Sequence, residues 1–166
     1  MQLQITEHLP AHFSDESTVW IYQCNRLFTI EEAFEIETML RHFVENWKSH
    51  GAVVGGYANI FYGQFIILMA DTTKTGVSGC STDSSVQVIK QIEKQFGVNM
   101  FDRQMLAFLI KDKVQLLPLA QLSYGIANGF IDKNTLYFNN TINTKRQLME
   151  SWPQPISDSW LANKVK

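Results

Sequence analysis

Tyr62-Gly63-Gln64-Phe65-Ile66-Ile67-Leu68-Met69-Ala70 decides how this chain folds. Gly63 supplies the backbone freedom that a tight connection needs. The stretches on either side, Ala52 to Phe61 and Phe65 to Ala70, are rich in strand formers. Together they read as a hairpin and predict an antiparallel sheet. The second arm is apolar on both faces, with Phe65, Ile67 and Met69 on one and Ile66 and Leu68 on the other. A sheet with one wet face alternates. Both faces of this strand are therefore expected to be covered, the second one by residues after 113 or by another subunit.

On the N-terminal side, Val19 to Cys24 reads as a first strand. Thr29-Ile30-Glu31-Glu32 has the form of a capping box, with Thr29 as N-cap and Glu32 three residues on. Ala33, Ile36, Leu40, Phe43, Val44 and Trp47 follow at helical spacing, and Gly51 supplies the stop. Beyond the hairpin, Val86, Ile89, Ile92 and Phe96 mark a second amphipathic helix ended by Gly97. Met105 to Ile110 reads as the next strand. Strand, helix, strand, strand, helix, strand is the ferredoxin-like order, so the fold class is α+β with both helices on one face of an antiparallel sheet. Val114 to Leu117 extends this core, Pro118 opens a short helix through Ala127, and Thr135 to Phe138 is a further strand. Thr144-Lys145-Arg146-Gln147 is a second capping box, and Pro153 and Pro155 end its helix. At 166 residues the chain predicts a single domain. Residues 1–16 form an N-terminal arm, 17–111 the βαββαβ core and 112–166 a C-terminal extension packed on it.

Composition narrows the functions. Hydrophobic residues make up 45% and charged residues 18%, enough for a core and too few charges for disorder. A net charge of −2 argues against nucleic acid as a partner. No stretch is long and apolar enough to span a bilayer, and the start has no secretory pattern, which predicts a cytoplasmic protein without a membrane partner. Cys24 and Cys80 make no zinc pattern and read as free thiols in a reducing compartment. There is no P-loop, dinucleotide fingerprint, HExxH or GxSxG elbow, so no cofactor is expected.

The candidate chemistry lies in Gly76-Val77-Ser78-Gly79-Cys80-Ser81-Thr82-Asp83-Ser84-Ser85, read as a loop that feeds the second helix. Free N–H groups at a helix start bind anions and lower thiol pKa values. Three readings follow. In the first, the chain is a non-catalytic ligand-binding or assembly domain, taking a small anion or a protein partner with the help of Gly79, Ser81, Thr82, Ser84, Ser85, Asn139 and Asn140. In the second, Cys80 is a catalytic thiolate with His50 as its base. In the third, Asp71 and Asp83 hold a divalent metal. Helix capping and simple burial of Cys80 explain the same residues, and a homodimer would cover any apolar face left open.

Several segments resemble one uncharacterised bacterial family whose members often carry the label "ABC transporter ATPase". These are Trp20-Ile21-Tyr22-Gln23, Trp47-Lys48-Ser49-His50-Gly51, Ser78 to Val86, Phe138-Asn139-Asn140 with Asn143-Thr144-Lys145, and Trp152-Pro153 with Ser159-Trp160. The resemblance runs from about residue 17 to 160. An ABC ATPase binds its nucleotide phosphates on a Walker A loop, and that loop is absent here. The resemblance implies a small cytoplasmic protein and supplies no mechanism.

Overall fold

A computed structural model describes residues 5–49, 51–71 and 79–165, with the backbone alone described for Ser49 and for 79–81. The chain is α+β with antiparallel sheets. Strand β1 (Thr18–Gln23) leads into α1 (Ile30–Glu45). The capping box forms in full: Glu32 N–H donates to Thr29 Oγ1 at 3.1 Å, and Thr29 N–H donates to Glu32 Oε1 at 2.8 Å. Arg26 grips the same carboxylate at 2.7 Å. It holds Glu32 far below the usual carboxylate range, at about 2.

Helix α1 stops at Glu45, one turn short of the expected end. Trp47 lies beyond it but is still buried. Gly51, at φ 82°, then turns a small hairpin of β2 (Lys48–Ser49) and β3 (Ala52–Val53). The strand expected over 52–61 is therefore broken, and only β4 (Gly56–Phe61) joins the main sheet. Close approach explains the break: a Cβ on Gly56 would sit 2.7 Å from Trp47 Cε3. β4 pairs through the predicted hairpin with β5 (Phe65–Ala70), where Tyr62 and Gly63 take φ 55° and 63°. β5 pairs in turn with β1, giving the order β1-β5-β4.

Helix α2 spans Gly79–Phe96. Then come β6 (Met105–Ile110) and β7 (Lys113–Pro118). Pro118 closes β7 opposite Met105 and is also the N-cap of the expected helical stretch, which begins as a 3-10 turn (Leu119–Gln121) and runs on into α3 (Leu122–Ala127). Short strands β8 (Leu136–Tyr137) and β9 (Gln154–Pro155) flank α4 (Lys145–Ser151). They complete a second sheet in the order β7-β6-β8-β9. The expected four-stranded sheet is thus divided: β6 pairs with β7 and β8, and no ladder joins it to β1.

The two faces of β5 lie in two cores. Ile66, Leu68 and Ala70 pack with Ile36 and Leu40 of α1 and Val88, Ile89 and Ile92 of α2. Phe65, Ile67 and Met69 pack with Phe138, Leu148 and Trp152 from the C-terminal part. The N-terminal segment joins this second core, since Ile5, Leu9 and Phe13 are buried there. Lys145, itself buried, fixes that segment by donating from Nζ to the Pro10 and Phe13 carbonyls at 2.8 and 2.9 Å. The arm of the sequence reading is packed because its three apolar residues, spaced four apart, have this face to cover.

Candidate functional site

The division of the sheets leaves a seam along β1. Val19 N–H donates to the Asn143 carbonyl at 3.0 Å at one end, and Asn25 N–H donates to the Asn99 carbonyl at 3.0 Å at the other. In an antiparallel pair, alternate residues turn their backbone groups to opposite edges. Ile21 and Gln23 have the same parity as Val19 and Asn25. Their N–H and C=O groups therefore point away from β5, and no described backbone group pairs with them.

A groove of about 880 Å³ follows this edge. That falls within the range of about 300–1,000 Å³ typical of ligand sites. One wall is the α2 stripe Thr82, Val86 and Lys90, four residues apart. The other is Phe138 with the chain from Asn140 to Asn143, and the end is formed by Met100 to Arg103. Side-chain amides hold the walls at this spacing. Gln23 Nε2 donates to the Met105 carbonyl at 2.9 Å, Asn140 Nδ2 donates to Gln23 Oε1 at 3.0 Å, and Trp152 Nε1 donates to Asn140 Oδ1 at 3.0 Å.

Two buried phenols border the groove. Ser85 Oγ donates to the Thr82 carbonyl at 2.8 Å and so accepts from Tyr22, 2.8 Å away. Burial pushes the Tyr22 phenol above its ordinary pKa, with Ser85 pulling the other way. Tyr137 is raised by burial too, offset by the Trp160 N–H bonded to its oxygen at 3.1 Å. Lys90 and Arg103 are exposed at the groove, and neither has an ion-pair partner among the described residues.

The residues singled out in the sequence fall in different places. Gly79 to Ser85 are the first two turns of α2 and not a loop, because the helix starts at Gly79. The N–H groups of Ser84 and Ser85 are consequently inside the helix, beyond the free N–H groups of its first turn. Residues 76–78 and His50 lie outside the described residues, as do the side chains of Cys80 and Ser81. Thr82 and Asn140 line the groove. Ser85 is fully buried behind Tyr22. Ser84 instead borders a smaller cleft of about 440 Å³ between α1 and α2. Asn139 is turned inward, donating to Gln154 Oε1 at 2.9 Å and accepting from the Thr141 hydroxyl at 2.6 Å.

Asp71 is buried after β5, whereas Asp83 is exposed on α2. Among the described residues, no group of three or more His, Cys, Asp or Glu could hold a metal ion. The thiol of Cys24 is buried, and burial raises its pKa. No described helix is long and apolar enough to cross a membrane.

Sequence reasoning missed Gln23, Lys90 and Arg103. Gln23 had one signal, a lone amide closing an apolar strand. Lys90 had another, its place eight residues after Thr82 on one helix stripe. In comparison with known proteins, no family model, no curated protein and no solved structure matches this chain.

Proposed function

We propose that this chain is a non-catalytic binding domain whose ligand occupies the groove between β1 and the second sheet. The observation that carries this reading is the open β1 edge at Ile21 and Gln23, running beneath a ligand-sized space. Lys90 and Arg103 favour an anionic ligand, and Tyr22, Phe101 and Tyr137 favour one with an apolar or aromatic body. This site keeps Thr82 and Asn140 of the sequence expectation and extends along the flank of α2 to Lys90.

The order β1-β5-β4, with α1 and α2 packed on one face, supports reading the first half as a ferredoxin-like unit. Its fourth strand has been drawn into the second sheet. Membership of the bacterial family resembled over residues 17 to 160 belongs to the same reading and adds no reaction to it.

The test uses anilinonaphthalene sulfonate, an aromatic anion, titrated into isotope-labelled protein. Saturable one-to-one binding is expected, with amide shifts centred on Tyr22, Phe101 and Val86. Val86→Trp should abolish it by filling the groove, and Arg103→Glu should weaken it. Shifts centred elsewhere, untouched by either substitution, would overturn the assignment.

A further inference from the structure

We infer that the groove receives the C-terminal tail of a partner protein, added to β1 as a short antiparallel strand and ending in a free carboxylate. This rests on the binding reading above and names the ligand class.

Backbone chemistry carries the inference. The free edge of β1 offers alternating N–H and C=O groups at Ile21 and Gln23, two residues apart. An extended peptide presents the same alternation, and strand addition satisfies both sides at once. Two successive rungs take three residues of the incoming chain. From Val19 to Gln23 the edge is about 13 Å long, at roughly 3.3 Å per residue, which suits a tetrapeptide.

The ends of the edge select a chain terminus. Asn143 closes it beside Val19, and Asn99 closes it beside Asn25. A strand that ran through the groove in register would have to pass both closures, whereas a tail that stops inside passes only one. Its terminal carboxylate then needs a cation, and Lys90 and Arg103 line the same groove against the single carboxylate of Asp102. Asp102 is already engaged, accepting from Gln104 N–H at 2.9 Å. Val86 and Met100 offer apolar contact to a side chain of the tail.

The experiment screens a tetrapeptide library anchored through its N-termini with free C-terminal carboxylates. The same library closed as C-terminal amides runs beside it. Free-acid members should be retained, with the amides weaker by about ten-fold or more. The best free-acid peptide should slow amide exchange of Ile21 and Gln23 by about ten-fold or more. N-methylation of its central amides should abolish binding. Val86→Trp should abolish it also, and Lys90→Glu, a surface change that leaves the core intact, should weaken it.

Equal retention of the amide library would overturn the chain-end assignment. Unchanged exchange at Ile21 and Gln23 would overturn strand addition. If no peptide is retained while anilinonaphthalene sulfonate still binds the groove, strand addition fails and the binding reading stands. Failure of both probes removes both.

Discussion

Gln23 Nε2 donates to the Met105 carbonyl at 2.9 Å, and this side chain links β1 to β6, between which no backbone ladder runs. A side-chain bridge holds two strands farther apart than the roughly 4.8 Å of a hydrogen-bonded ladder. The groove is the space that results. Asn140 secures the bridge from the other side, and Trp152 secures Asn140.

Asn140→Leu should therefore destabilise the fold as well as loosen the groove. It leaves Gln23 Oε1 and Trp152 Nε1 without partners, at a cost of roughly 1–3 kcal/mol. Urea denaturation measures this. A loss below about 0.5 kcal/mol, the usual surface range, would mean that the bridge is not structural.

Ser85→Ala isolates the buried phenol. Ser85 accepts from Tyr22 in the neutral state and can turn its proton toward a phenolate, so its removal should make Tyr22 titrate at still higher pH. Burial raises Tyr22, Tyr57 and Tyr137 alike. Their contribution to stability is complete below the ordinary tyrosine pKa of about 10 and is lost as pH rises past it toward the folded values. Ultraviolet titration of wild type and variant measures the first effect, and denaturant unfolding across alkaline pH the second. An unchanged titration curve would show that Tyr22 and Ser85 do not meet.

Glu32 sets the acid limb. Its folded pKa lies at about 2, depressed first by the Arg26 hydrogen bond and then by the Thr29 N–H. The stability it contributes is present above the usual carboxylate range and disappears as pH falls through that range toward 2. Glu32→Gln should lose this part of the acid dependence and weaken the α1 start. An acid unfolding profile identical to wild type would contradict the linkage.

Gly56→Ala tests the close approach that splits the expected strand. The new Cβ would lie 2.7 Å from the buried Trp47 ring, so the ring or the strand must shift. Overpacking of this kind costs roughly 1–3 kcal/mol. A neutral result in thermal unfolding would show that Trp47 can shift.

Local signals in the chain were legible because local residues decide them. Thr29 with Glu32 announced the α1 start, and Gly63 announced the hairpin. The doubly apolar β5 announced a covered second face. The end of α1 was misread because Trp47 keeps the apolar rhythm after the helix has ended, and its burial against Gly56 comes from tertiary packing. The start of α2 was placed too late because Gly79 and the serines after it look like loop residues, yet Ser85 turns its hydroxyl back to the Thr82 carbonyl within the helix. The groove was invisible because it arises from which strand β6 chooses as its neighbour. Pairing with β7 through a tight turn is local, and pairing with β1 across more than eighty residues is not. Among the described residues, Thr82 and Asn140 are the candidate site residues chosen from sequence that line it.

The most direct test of the open seam is amide hydrogen exchange, read residue by residue along β1 in the free protein. Trp20 and Tyr22 bond to β5 and should be strongly protected, whereas Ile21 and Gln23 should exchange much faster. Continuous protection from Val19 through Gln23 would mean that another strand closes this edge, and would contradict the groove.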